Sequence, residues 1–143
     1  MPRLLLGVLC DDVRTETDGK QSLMGIFDQV TLPTFNHPFP DFRLFAVVGV
    51  EASGEHDLSV AIHSADNSFR HNIVGKVHAV ERSETYGLFV VPVNIRFSGL
   101  RVSAAGLYYF TFIVDSVDID RIPVIVKLRD DHGETTSSLT SPE

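Results

Sequence analysis

Apolar residues recur at every second position along most of the chain. Leu4, Leu6, Val8 and Cys10 alternate with Leu5, Gly7 and Leu9. Successive side chains of a strand point to opposite faces, so this opening stretch reads as a strand that is apolar on both. Leu58, Val60 and Ile62 alternate with Asp57, Ser59, Ala61 and His63, the pattern of a half-buried strand with one wet face. Phe89, Val91, Val93, Ile95 and Phe97 form an apolar row opposite Val90, Pro92, Asn94 and Arg96. Pro92 cannot donate to a ladder, so this strand is expected at an edge, or with that amide position facing outward. Tyr108, Phe110, Phe112 and Val114 alternate with Leu107, Tyr109, Thr111 and Ile113, and Ile122, Val124, Val126 and Leu128 form the last row. Three further strands are expected: 22–32 with an irregularity at Gly25, 42–50 apolar on both faces, and 69–80 with Phe69, Ile73 and Val77 on one side. No segment holds helical spacing over three turns.

The breaks carry turn chemistry. TDGK at 17–20 holds an Asp-Gly pair, a strong hairpin signal. PTFNHPFPD at 33–41 has three prolines and reads as a non-helical crossing loop. ASGE at 52–55, ADNS at 65–68, ERSETYG at 81–87 and SAAG at 103–106 read as loops, and VDSVDID at 114–120 as a tight hairpin. The expectation is an all-β fold: an antiparallel β-sandwich of about eight strands over residues 1–128. The polar stretch 129–143 has little to bury and is expected to be a disordered tail.

Composition narrows the function. One domain accommodates 143 residues. A single cysteine, Cys10, cannot form an internal disulfide, which removes the disulfide-rich secreted class. A net charge of -7 with scattered Lys and Arg argues against nucleic acid as a partner. The run 4–10 is too short to span a membrane and is followed by Asp11 and Asp12 rather than a small-residue cleavage site. No membrane association and a cytoplasmic location are therefore expected.

Candidate chemistry is sparse. Asp115, Asp118 and Asp120 crowd one turn and could offer oxygen ligands to calcium, but no glycine at the bend and no following Glu complete a loop of the known kind. The alternative is a solvated hairpin. Asp28 shares parity with Ile26, Val30 and Leu32. Unpaired burial would be costly there, so it must cap an amide, pair with an arginine, or be turned out by a bulge. His37, His56, His63, His71, His78 and His132 show no zinc-site spacing. Asp11 and Asp12, as strand neighbours, point to opposite faces. Cys10 reads as a buried small hydrophobe. No nucleophile elbow, P-loop or dinucleotide fingerprint occurs, so no catalytic residue and no cofactor are expected. Surplus apolar residues at outward positions, namely Val90, Leu107, Tyr109, Ile113 and Ile125, are expected to form an interface if one sheet gathers them.

CDDVR at 10–14 followed by DGKQSLMGIFDQV at 18–30 resembles the opening of a family of small bacterial proteins of unknown function. There, C-D-D-V-R precedes G-K-x-S-L-x-G-I-F-D. The likeness continues through the Phe-Pro-rich loop near 35–42, GEHDLSV at 54–60 and AGLYYFTFIVD…IPVIV at 105–126. It covers the chain except its tail. The resemblance implies a compact β-sandwich and carries no activity over to this chain. Separately, AGLYYF at 105–110 is similar to the tyrosine corner of immunoglobulin-like sandwiches, with Tyr108 as the corner residue, though no Trp or cysteine pair accompanies it. The leading expectation is a non-catalytic interaction or structural module, most simply a homo-oligomer or one that captures another protein. A carbohydrate- or calcium-binding domain using loops 33–41, 81–87 and 115–120, and an enzyme with an unrecognised site, remain the alternatives.

Overall fold

The computed structural model describes residues 1–34 and 36–129 and the backbone of Thr135–Thr136. Among them there are twelve strands and no helix: β1 (Arg3–Cys10), β2 (Asp12–Thr15), β3 (Gln21–Met24), β4 (Gln29–Leu32), β5 (Phe42–Val50), β6 (Gly54–Ser64), β7 (Arg70–Ala79), β8 (Arg82–Ser83), β9 (Leu88–Phe97), β10 (Gly106–Val114), β11 (Val117–Arg129) and β12 (Thr135–Thr136). The all-β expectation stands. One sheet has the order β1-β5-β9-β8; the other runs β12-β11-β10-β6-β7, with β4 laid along β11; β2 and β3 form a separate hairpin. Both large sheets are curled, each resembling half a barrel. Leu44, Ala46, Val48 and Val50 of β5 share one buried cluster with Val60 and Ile62 of β6, Phe110 and Phe112 of β10, and Val124 and Val126 of β11. The rest of the expected tail lies outside the described residues.

Three expectations change. The strand foreseen over 22–32 is two, β3 and β4. Gly25 between them has φ +68, a left-handed value that glycine adopts without penalty, and the chain turns there. Asp28 is consequently exposed, and its carbonyl accepts from the Ile125 amide at 3.0 Å. The bulge alternative is thus the one realised. The fold is also not wholly antiparallel, because β4 pairs with β11 in parallel, Gln29 opposite Ile125 through Leu32 opposite Leu128. Alternation identifies faces, not neighbours, so strand direction was not readable from it. The strand count of about eight rises to twelve through that split and the short β2, β8 and β12.

The turn readings hold in detail. At 17–20 the Glu16 amide donates to Lys20 O at 2.7 Å and the Gly19 amide to Glu16 O at 2.9 Å, closing the β2–β3 hairpin. Val114 pairs with Val117 across a two-residue loop in which Asp115 and Ser116 have φ 48 and 67. Positive values at both central positions match the twist of the flanking strands. In β9 the Val90 amide donates to Glu81 O, away from β5. Amides of one parity point to one side, so Pro92 places its missing donor on the outer edge, where no ladder bond is lost.

Tyr108 is 3% exposed and its hydroxyl donates to Ala104 O at 2.6 Å. Burial, the largest influence, raises its pKa. The bond ties the approach to β10 onto the strand. Tyr108→Phe is expected to cost about 1 kcal/mol, because the exposed Ala104 carbonyl can recover a bond to water. Urea unfolding of the two proteins measures it, and a variant as stable as the parent would show that the bond contributes nothing.

Candidate functional site

Strand alternation leaves each large sheet with an outer face, and the two faces differ. On the β10 side, Leu107, Tyr109 and Ile113 are half-buried, with Ile125 opposite Leu107. The structure therefore gathers four of the five expected interface residues on one face. A polar band divides them. The Arg121 guanidinium lies 3.8 Å over the Tyr109 ring, His63 Nε2 is 2.9 Å from Thr111 Oγ1, and the His63 ring sits 5.7 Å from Tyr109. His63, Asn67, Arg70, Thr111, Asp118 and Arg121 border a polar groove. Tyr109 is thus covered by a cation of its own sheet.

The fifth residue, Val90, lies on the other outer face, where the accessible apolar residues cluster around Val47, while Phe45 is 5% exposed, Gly49 is buried and the exposed Asn94 stands opposite Phe45. Register brings Leu6, Val47 and Pro92 into one row, Val8 and Phe45 into the next, and Gly49 with Val90 into a third. Leu6 is 43% exposed and Pro92 is exposed, while Val8, Val47 and Val90 are half-buried. This is where the second apolar face of residues 4–10 and 42–50 goes. Arg43 stands at one end of β5 and Glu51 just past the other. Arg43 makes no ion pair among the described residues, whereas Arg96 binds Asp41 at 3.0 Å.

A third feature was not foreseen. Residues 39–42 and the turn at Gly25 border a basin of about 390 Å³. Phe27, Phe39, Phe42 and Val30 line it, Ile26 stands on its rim 61% exposed, and Asp11 and Asp41 border it. Phe42 stacks on Phe97 at 4.8 Å and meets Phe27 and Phe110 edge-on at 5.8 and 6.0 Å, so the floor is the edge of the aromatic core. Hydrogen bonds from Arg96, then from Ser98, hold the Asp41 pKa below its ordinary value. The Asp11 carboxylate rests against Gly25, where an added Cβ would lie 2.2 Å from Oδ2. The sequence signal for this basin is Gly25 beside the Phe-rich loop, and nothing in strand alternation brings Asp11 to it.

The acidic turn is not a ligand cluster. Asp115 Oδ1 accepts the Asp57 amide at 2.9 Å and Oδ2 lies 2.6 Å from His56 Nδ1. Asp118 borders the polar groove instead, and no set of three potential metal ligands converges among the described residues. Loops 33–41 and 81–87 precede β5 and β9, which are antiparallel, and so lie at opposite ends of their sheet. Cys10 is fully buried and its thiol pKa is raised, foremost by burial and next by Asp11 and Asp12; it is poorly suited to be a nucleophile.

His56 Nε2 also lies 2.7 Å from Ala52 O. Two acceptors on one ring favour the imidazolium, and the Asp115 hydrogen bond leads in raising the His56 pKa, as it leads in lowering that of Asp115. The His56 contribution is full below its ordinary 6.5 and lost as pH rises through the raised value; that of Asp115 is full above 3.8 and lost as pH falls through the lowered one. A double-mutant cycle of His56→Gln and Asp115→Asn is expected to show coupling of up to about 1 kcal/mol between those limits, fading in alkali. A coupling independent of pH would contradict this protonation.

Residues 5–127 match the profile of a family described only as a family of unknown function, DUF6941. A search of the curated proteins found no match. Among solved structures the chain is similar to the Pseudomonas fluorescens alkylpurine DNA glycosylase AlkC bound to DNA containing an abasic site analogue, at TM-score 0.38 and 11% identity. That likeness covers 69% of this chain and 27% of the other, so the chain spans about a quarter of that protein. So distant a likeness carries neither fold nor function. Among the described residues, no helix is long and apolar enough to cross a membrane.

Proposed function

Since this chain belongs to DUF6941, a family without an assigned activity, we propose from its geometry that it is a non-catalytic interaction module that pairs with a second copy of itself. The observation that carries this is the apolar row of Leu6, Val47 and Pro92 across the outer face of β1, β5 and β9, with Val8 and Val90 beside it. Apolar surface gathered in one place marks an interface, where scattered residues do not.

The same face favours a second copy over a foreign partner. Arg43 and Glu51 are equidistant from Val47 along the chain, about 27 Å apart in an extended strand. A two-fold axis through Val47, with the two β5 strands running antiparallel, sets Arg43 of each copy over Glu51 of the other, where it joins the Met1 ammonium already paired with Glu51. Closed two-fold pairing requires such self-complementarity. Curled sheets sharing a core, with the Tyr108–Ala104 bond at the entry to β10, support reading each copy as an immunoglobulin-like sandwich. The single buried free cysteine supports a reducing, cytoplasmic setting.

Light scattering on a size-exclusion column tests the reading. A discrete dimer is expected, dissociating on dilution; a monomer at the highest soluble concentration would overturn it.

A further inference from the structure

The basin at Gly25 lies apart from the outer sheet face and has its own chemistry. Its floor is aromatic and closed to further packing, since Phe39 and Phe42 are 5% and 3% exposed. Its rim keeps a large apolar side chain, Ile26, in water at 61% exposure. Its two carboxylates are not equivalent. Asp41 is taken up by Arg96 at 3.0 Å and by Ser98 at 3.1 Å. The Asp11 carboxylate is engaged by no hydrogen bond or ion pair among the described residues, and Gly25 yields the space in which it lies, because any Cβ there would strike it. About 390 Å³ is within the usual size of small-molecule sites. An apolar wall of Ile26, Phe27 and Val30 beside a single unneutralised carboxylate disfavours anions, gives a neutral apolar molecule only half of what the site offers, and complements a cation with an apolar body.

We infer that the basin between Gly25 and residues 39–42 binds a small organic ammonium, its apolar chain or ring against Ile26, Phe27 and Val30 and its charged nitrogen on Asp11. The neutral Gln29 amide at the wall adds no competing cation. The interaction needs no covalent step. It requires only that the ligand carry charge and apolar bulk on the same small skeleton.

The test uses the full chain and three probes of one shape: phenethylammonium, its neutral alcohol analogue, and the matching carboxylate, phenylpropionate. Binding is followed by NMR shifts of the Gly25, Ile26 and Phe39 amides at neutral pH. The ammonium is expected to bind at least fivefold tighter than the alcohol, and the carboxylate not at all. Asp11→Asn should reduce the ammonium to the affinity of the alcohol and leave the alcohol unchanged. Asp12→Asn, one position away and outside the basin's lining, should leave both unchanged. Equal binding of ammonium and alcohol, full ammonium affinity in Asp11→Asn, an equal loss in Asp12→Asn, or shifts confined to other residues would each overturn the assignment. None of these outcomes bears on self-association through β5, which is read separately by mass.

Discussion

Phe42→Ala is expected to lower stability by about 3–5 kcal/mol, the range for truncating a buried aromatic residue that its neighbours cannot replace. Phe42 is 3% exposed and touches four other rings: Phe97 in a stack, Phe27 and Phe110 edge-on, and Phe39 tilted at 6.0 Å. Those rings come from the turn before β4, loop 33–41, β9 and β10, so no single element can move inward to fill the void. Edge and offset contacts between rings add about 0.5–1.5 kcal/mol each beyond burial. Phe42→Leu keeps most of the volume and is expected to cost markedly less. Urea unfolding followed by fluorescence or circular dichroism measures both, and an alanine variant within 1 kcal/mol of the parent, roughly the scatter of such measurements, would show the ring cluster to be loosely packed.

Val47→Asp is expected to abolish self-association while leaving each protomer folded. Val47 is half-buried on the outer face of β5, midway between Arg43 and Glu51. An aspartate there costs the monomer about 1 kcal/mol in strand preference, besides the partial desolvation of its carboxylate at a half-buried position. In the dimer, two carboxylates would meet at the axis without water. The charge pairs give a second, independent reading. Arg43→Glu alone should weaken the dimer by setting like charges opposite each other, and Arg43→Glu combined with Glu51→Arg should restore it. A dimer that survives Val47→Asp, or a double reversal no tighter than the single, would remove β5 from the interface.

Much of the scaffold was legible because its signals are local. The bounds of β5 follow from the apolar run between Asp41 and Glu51, and the two tight hairpins from Asp-Gly at 18–19 and Asp-Ser at 115–116. Tyr108 was legible because its partner lies four residues away. What depended on distant partners was not. Asp28 looked buried because parity was carried through Gly25, where the chain turns. Leu107, Tyr109, Ile113 and Ile125 did share a face, but nothing in the pattern placed Arg121 over Tyr109. The basin draws on Asp11, Gly25, Phe39 and Asp41, which come together only when the β2–β3 hairpin and loop 33–41 meet. The partner of the acidic turn was equally out of reach of the pattern: His56, the residue that takes up Asp115, lies 59 positions upstream.

The parallel pairing of β4 with β11 also fixes when the molecule can be completed. Its partners lie roughly a hundred positions apart, a separation that raises contact order and slows folding. During synthesis β4 emerges early and waits for almost the entire chain, its ladder groups open to water or to a wrong strand until β11 has left the ribosome. The nascent chain is therefore exposed to misassembly for most of its synthesis. A chain that ends before residue 125 lacks the strand that closes the sheet over β4, however well its earlier hairpins form.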